Sequence, residues 1–130
     1  MTEIPFETMA TIDLELLRKF SEASGDPNPI HLDEKTARER GLPGVIAHGM
    51  LIASLATERA IRWVGPEAKL VEFEVRFRAM TLLGQTIRVG GMETRQESNK
   101  IHLELTAQDE KDEVKTQIRL TFISSKTLDK

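Results

Sequence analysis

Two hydrophobic periods divide the chain, and one gives way to the other at Gly65-Pro66. Before that point the spacing is helical. Ile12, Leu16, Phe20 and Ala23 fall on one stripe with Leu17 beside them, which predicts a helix opened by Thr11 as N-cap, with Asp13 and Glu15 in its first turn. Ser24-Gly25 ends it, because glycine enters the left-handed conformation after a helix without steric cost. In the following loop, Asp26-Pro27-Asn28-Pro29-Ile30-His31, the two prolines exclude a regular helix. Asp33 opens a short helix through Arg40, Gly41 closes it, and Leu42-Pro43-Gly44 turns the chain. The longest apolar helix runs from His48 to Trp63; its start, through Ala56, carries no Asp, Glu, Lys or Arg, so this spacing predicts a helix buried nearly all round.

After Pro66 the period becomes two. Val71, Phe73, Val75 and Phe77 alternate with Glu72, Glu74, Arg76 and Arg78, the pattern of a one-sided strand. Thr86 to Glu97 is a second strand, and Gly90-Gly91 within it suggests a bulge or bend. Ile101, Leu103 and Leu105 alternate with His102, Glu104 and Thr106; Val114, Ile118, Leu120 and Phe122 mark a last strand, reached through a polar hairpin loop from Asp109 to Glu113. A buried helix followed by four antiparallel strands predicts an α+β fold, one curved sheet wrapped around one helix.

Composition narrows the partners. With 130 residues, 39% hydrophobic and 30% charged, the expectation is one domain over residues 1–130. No run reaches the roughly 18 apolar residues of a membrane span. The N-terminus lacks a basic and apolar leader, so a cytoplasmic, membrane-free protein is expected. The absence of cysteine removes disulfides, thiolate metal sites and thiol nucleophiles. A net charge of −3 with both signs dispersed gives no footprint for nucleic acid.

Few residues can then carry acid–base chemistry. His102 alternates with core positions and is expected to face solvent. Asp26 and His31 share the proline-stiffened loop with Asn28; such a loop can present a carboxyl and an imidazole to one water, or the same residues can simply cap a turn and a helix. His48-Gly49 opens the apolar helix, whose first amides lack intrahelical partners. Gly49 can let a carbonyl oxygen approach such an amide, or can serve packing alone. Thr57 is a candidate polar residue on the same helix, although most such threonines bond back to their own helix. No metal-ligand spacing, phosphate loop or GxSxG elbow is present, so neither a metal nor a cofactor is expected.

The segments Ser24-Gly25-Asp26-Pro27-Asn28-Pro29-Ile30-His31 and Gly44-Val45-Ile46-Ala47-His48-Gly49-Met50-Leu51 resemble the MaoC-like dehydratase family, which includes the (R)-specific enoyl-CoA hydratases. Val75-Arg76-Phe77-Arg78 is similar to the family's strand after the central helix. The resemblance implies a hot-dog fold, dimerised so that two sheets join, as a homodimer or a higher homo-oligomer. It implies Asp26 and His31 as the catalytic dyad, Asn28 as the motif asparagine and the Gly49 N–H as the donor to a thioester carbonyl. His48, read from its place at the helix start as structural rather than catalytic, and Thr57 are candidates beside the substrate, Thr57 departing from a pocket serine found in some members. The implied reaction is reversible hydration of a trans-2-enoyl-CoA to the (3R)-3-hydroxyacyl product. The rival readings are a 3-hydroxyacyl-ACP dehydratase subunit and a non-catalytic acyl-thioester-binding module. A thioesterase would need a carboxylate on the central helix, and Glu58, the acidic residue there, sits near its charged end.

Overall fold

The computed structural model describes residues 1–124; residues 125–130 of the expected domain lie outside the described residues. Strand β1 (Thr2–Thr11) leads into helix α1 (Leu14–Ser24), a 3₁₀ turn at Pro29–His31, helix α2 (Glu34–Glu39) and the long helix α3 (Gly49–Val64). Four strands follow: β2 (Ala68–Phe77), β3 (Thr86–Glu97), β4 (Lys100–Gln108) and β5 (Val114–Ser124). They form one antiparallel sheet in the order β1-β3-β4-β5-β2, and α3 packs against all five strands. This is the expected α+β architecture. No helix among the described residues is long and apolar enough to cross a membrane.

Burial of aliphatic side chains between helix and sheet holds the fold together. Leu51, Ile52, Leu55, Ala56 and Ala60 of α3 meet Ile87 and Val89, Leu103 and Leu105, and Ile118, Leu120 and Phe122. Each large aliphatic side chain buried this way is worth roughly 1.5–3 kcal/mol.

Several expectations are corrected. β1 lies where no strand was expected: its register shifts between Ile4 and Glu7 and between Thr8 and Ala10, so bulges scramble the alternation that would reveal it. Pro5 is tolerated because β1 is an edge strand. The N-cap of α1 is Asp13, whose side chain accepts from the Leu16 amide at 2.8 Å, rather than Thr11, which belongs to β1. Ile12 is buried but precedes the helix, and Ser21, not Ala23, completes its buried face. In β2 the inward positions Phe73 and Phe77 are 52% and 56% exposed, because β2 is the other sheet edge and an open groove separates α3 from it. For the same reason α3 is not buried all round: Met50, Ser54 and Ile61 form an open stripe. At Gly90-Gly91, where a bulge or bend was expected in β3, the extra residue lies on β1 instead and β3 pairs regularly with β4 there; a Cβ on Gly90 would stand 2.7 Å from the Phe6 ring.

The segment after β2 is braced from below by a buried charge cluster. Lys115 on β5 is 2% exposed; its ammonium donates to the Met80 carbonyl at 2.9 Å, contacts Glu113 and lies 3.5 Å from the buried Asp109 carboxylate. Its own carbonyl accepts from the Arg78 and Ala79 amides. Asp109 accepts from the Lys111 and Glu113 amides at 2.8 and 2.9 Å and from Gln85, whose side-chain oxygen holds the Leu82 amide at 2.7 Å. Burial pushes the Asp109 pKa up, but these amides and the Lys115 ammonium outweigh it, and the net direction is down from 3.8. A carboxyl whose folded pKa is depressed contributes stability that is fully present above its unfolded pKa and is lost as pH falls through the folded value. Thermal unfolding followed from neutral pH into the range below 3.8 should therefore show a flatter acid limb for Asp109→Asn than for the wild type; coincident limbs would show that Asp109 does not carry this linkage.

Candidate active site

Three backbone segments meet at the N-terminus of α3. The first is the loop after α1. Gly25 stands at φ 74°, the left-handed cap that lets the chain leave α1 sharply. The Asp26 carboxylate accepts from the Asn28 amide at 3.2 Å, and the Asn28 side-chain oxygen accepts from the Ile30 amide at 3.2 Å, which caps the 3₁₀ turn ending in His31. Asp33 then caps α2 as the sequence predicts. The second segment, residues 44–48, is tied to the first through Ile46: its N–H donates to the Ile30 carbonyl at 3.3 Å, and its carbonyl lies 2.8 Å from His31 Nδ1. The third is the Lys115-braced stretch, joined to the second by Ala47 N–H to Thr81 O at 2.8 Å and Leu83 N–H to Val45 O at 3.1 Å.

A carbonyl oxygen only accepts, so the bond to Ile46 fixes the hydrogen on His31 Nδ1 and leaves Nε2 with its lone pair. His31 is 7% exposed, Asp26 is exposed, and a ring nitrogen of one and a carboxylate oxygen of the other lie within 4.8 Å. That separation suits a shared water. Gly49 is the first residue of α3 and is exposed, so its N–H is one of the amides a helix leaves without an internal acceptor. His31, Gly49, Ile52, Phe77, Arg78 and Met80 line one cleft of about 350 Å³. An imidazole and a first-turn helix amide thus share a cleft with an apolar wall, and the Asp26 carboxyl lies within 4.8 Å of that imidazole.

The other expected residues are placed differently. His48 is 3% exposed and lies behind His31, with ring centroids 3.8 Å apart and planes 23° from parallel. The Phe20 ring meets its edge at 4.9 Å. His48 Nε2 is 3.2 Å from Ser21 Oγ and 3.3 Å from the Asp26 carbonyl, to which the Ser21 hydroxyl donates at 2.7 Å. Burial, then the charge of His31, lowers the His48 pKa from its ordinary 6.5. Thr57 donates to the Ala53 carbonyl at 2.9 Å and lines a separate apolar groove of about 360 Å³ with Met50, Ile61 and Phe73, away from the dyad. Glu58 borders that groove too and is exposed. His102 faces outward as expected, held between Thr121 Oγ1 at 3.2 Å and the Glu97 carboxylate at 3.3 Å. Ser21 was not foreseen. The available signal was a small polar residue four positions after Leu17, on the buried face of α1.

Asp26, His31 and His48 form the kind of ligand set a transition metal uses. Their arrangement does not suit one. Imidazoles stacked nearly parallel direct their in-plane lone pairs side by side rather than toward a common point, and each ring already spends one nitrogen on the protein. The donor set fits proton transfer better than coordination. The larger concavity of about 620 Å³ on the outer face of the sheet is equally remote from this chemistry; Arg119 there lies 3.9 and 3.8 Å from Glu74 and Glu104.

Comparison with known proteins places the chain in a family. A family model described as MaoC like domain matches residues 2–116. The chain is 37% identical over 71 residues to a 3-hydroxybutyryl-CoA dehydratase of Methylorubrum extorquens, covering 54% of this chain and 45% of that protein. It is 34% identical over 73 residues to a mitochondrial 3-hydroxyacyl-[acyl-carrier-protein] dehydratase of Arabidopsis thaliana, covering 56% and 43%. The match thus spans less than half the length of either relative. Among solved structures, the R-hydratase PhaJ1 of Pseudomonas aeruginosa superposes with a TM-score of 0.85 at 25% identity, over 95% of this chain and 79% of that one.

Asn28 spends its amide oxygen on the turn that carries His31. Asn28→Ala should cost about 1 kcal/mol in urea unfolding and speed hydrogen exchange at the Ile30 amide. Unchanged Ile30 protection would show that the cap is not made.

Proposed function

The chain belongs to the MaoC-like family, and from that premise we propose that it is a hydro-lyase acting on acyl thioesters, adding water to a trans-2-enoyl-CoA to give the (3R)-3-hydroxyacyl-CoA. The observation that carries this reading is a His31 ring whose Nδ1 is spent on Ile46, with a ring nitrogen within 4.8 Å of an Asp26 carboxylate oxygen and with the Gly49 amide on the cleft that His31 lines. A water held between the pair gives one proton to His31 Nε2 while its oxygen attacks C3. The electrons of the C2–C3 double bond move toward the thioester oxygen, where the Gly49 N–H stabilises the developing charge; one such donor is typically worth about 3 kcal/mol. Asp26 delivers a proton to C2, and the proton on His31 replaces it through the pair. Both additions come from the dyad's side, which makes them syn. The reverse sequence is dehydration. Asn28 acts by fixing the turn beneath His31.

Arg78 at the cleft suits the phosphates of either carrier, and the plant relative is named for the acyl-carrier-protein form, so an acyl-ACP is the second substrate to assay. With crotonyl-CoA, loss of the enoyl-thioester absorbance and a (3R) product are expected. Asp26→Asn and His31→Gln should each lower kcat by about 10²–10⁴-fold while the proteins stay folded. No turnover with either carrier would overturn the hydro-lyase reading in favour of a binding module.

The same reading makes the working unit a homodimer. β2 is a sheet edge with open hydrogen-bonding groups, and Val71, Phe73 and Phe77 on it, with Met50 and Ile61 on α3, expose apolar surface next to the cleft. Contiguous apolar surface beside an open edge is what a second sheet covers. Light scattering should give about twice the 14.7 kDa chain mass, and Phe73→Glu should shift it to the monomer with loss of turnover; a monomeric wild type would overturn the dimer.

A further inference from the structure

We infer that His48 is a positioning residue for the reacting pair: its ring face supports His31, and its Nε2–H supports the backbone of Asp26. The inference rests on the hydro-lyase reading for its consequence, but its geometry stands apart from it. Ser21 Oγ gives its hydrogen to the Asp26 carbonyl at 2.7 Å, so it presents a lone pair toward His48 Nε2 at 3.2 Å. The Asp26 carbonyl, 3.3 Å from the same nitrogen, can only accept. Both neighbours of Nε2 are therefore acceptors, and the hydrogen of a neutral His48 sits on Nε2. Its Nδ1 is then a bare lone pair, buried without a hydrogen-bond partner among the described residues. An unpaired buried nitrogen is costly, and a phenyl ring would fill the same place without that cost. What the imidazole adds over a phenyl is the Nε2–H on Asp26, and what it adds over an amide is the flat face against His31.

His48 performs this task only while neutral, since two imidazolium rings stacked at 3.8 Å repel in a poorly solvated setting. The groups around the pair keep it so. Phe20 and Ser21 of α1 bring no charge, and the charged groups close by are Asp26 and His31 from the loop, with Arg78 across the cleft from His31. Burial and the His31 charge both disfavour a proton on His48. The proton taken from water thus has one destination, His31, and Asp26 and His31 keep their separation while it moves.

Histidine-ring ¹⁵N spectra of the 130-residue chain test this directly, with His102→Gln and His31→Gln assigning the three rings. The wild type should show His48 as the Nε2–H tautomer, taking up a proton only below the ordinary histidine value, and His31 as the Nδ1–H tautomer. His48→Ala removes face and donor together: His31 should become a mixture of tautomers, and kcat should fall by about 10²-fold with KM within about twofold. His48→Phe keeps the face, so His31 should retain its tautomer while kcat falls by about tenfold; this variant and Ser21→Ala keep the test alive if His48→Ala does not fold. A His48 that titrates in the ordinary range, or a folded His48→Ala with wild-type kcat and an unchanged His31 tautomer, would overturn the inference. Absence of turnover in the wild type would defeat the hydro-lyase reading instead, and the tautomer measurements would still decide the role of His48.

Discussion

The peptide group preceding and the carbonyl following the Ile46 α-carbon are both bonded to the loop that carries His31: the N–H donates to Ile30 and the carbonyl accepts from the imidazole itself. On either side, Val45 and Ala47 are bonded to Leu83 and Thr81. A short extended segment thus works as the middle strand of a small ribbon, with the loop of Asp26 and His31 on one edge and the wall of the cleft on the other. Loops carry most reacting groups in proteins because their side chains reach open space, but a loop alone is too mobile to hold two groups at a fixed separation. Here the ribbon supplies the missing stiffness, and α3, which starts two residues later, anchors it in the core.

The far edge of the ribbon is held by the Lys115 cluster. A buried ion pair contributes little net stability, because removing both ions from water costs nearly what their attraction returns. Its value here is geometric. Lys115 binds a backbone carbonyl at residue 80 and offers its own carbonyl to residues 78 and 79, so three consecutive residues of the wall are fixed by one side chain and its peptide. Asp109 reaches the same wall through Gln85 and the Leu82 amide. Irregular backbone with no ladder partners of its own is thereby given them, in the way a sheet would.

Local chemistry was legible in the sequence where a residue's own backbone need decides the outcome. Gly25, Asp33 and Gly65 end or open helices as their conformational and capping preferences dictate, and β3 runs over the expected Thr86–Glu97. The loop from Asp26 to His31 was readable for the same reason, since two prolines and an Asx turn leave it few shapes. Features set by distant partners were not. β1 pairs with a strand some eighty residues away through two register shifts, which erase its period. Lys115 sits one position out of step with Ile118 and Leu120 and is buried only because Asp109, Glu113 and a loop carbonyl arrive from elsewhere. The exposure of Phe73 depends on strand order, which no local pattern encodes. Ser21 looks like a surface serine until the chain returns its own Asp26 carbonyl and His48 to it.

Packing and chemistry make separable demands at Gly49. A Cβ there would stand 2.8 Å from the Phe77 ring, which at first assigns the glycine to packing. In the single chain, however, Phe77 is 56% exposed, and there its ring has room to move aside for a methyl group. Space within one chain therefore tolerates alanine, although a partner sheet over Phe77 would tighten it. What the methyl cannot escape is its position on the first turn of α3, directly beside the helix amides that lack internal partners. Any group placed there, together with the ring it displaces, crowds the approach of an acceptor oxygen to the Gly49 N–H. On the hydro-lyase reading, the need for glycine is thus set less by the neighbour it has than by the thioester oxygen it must admit.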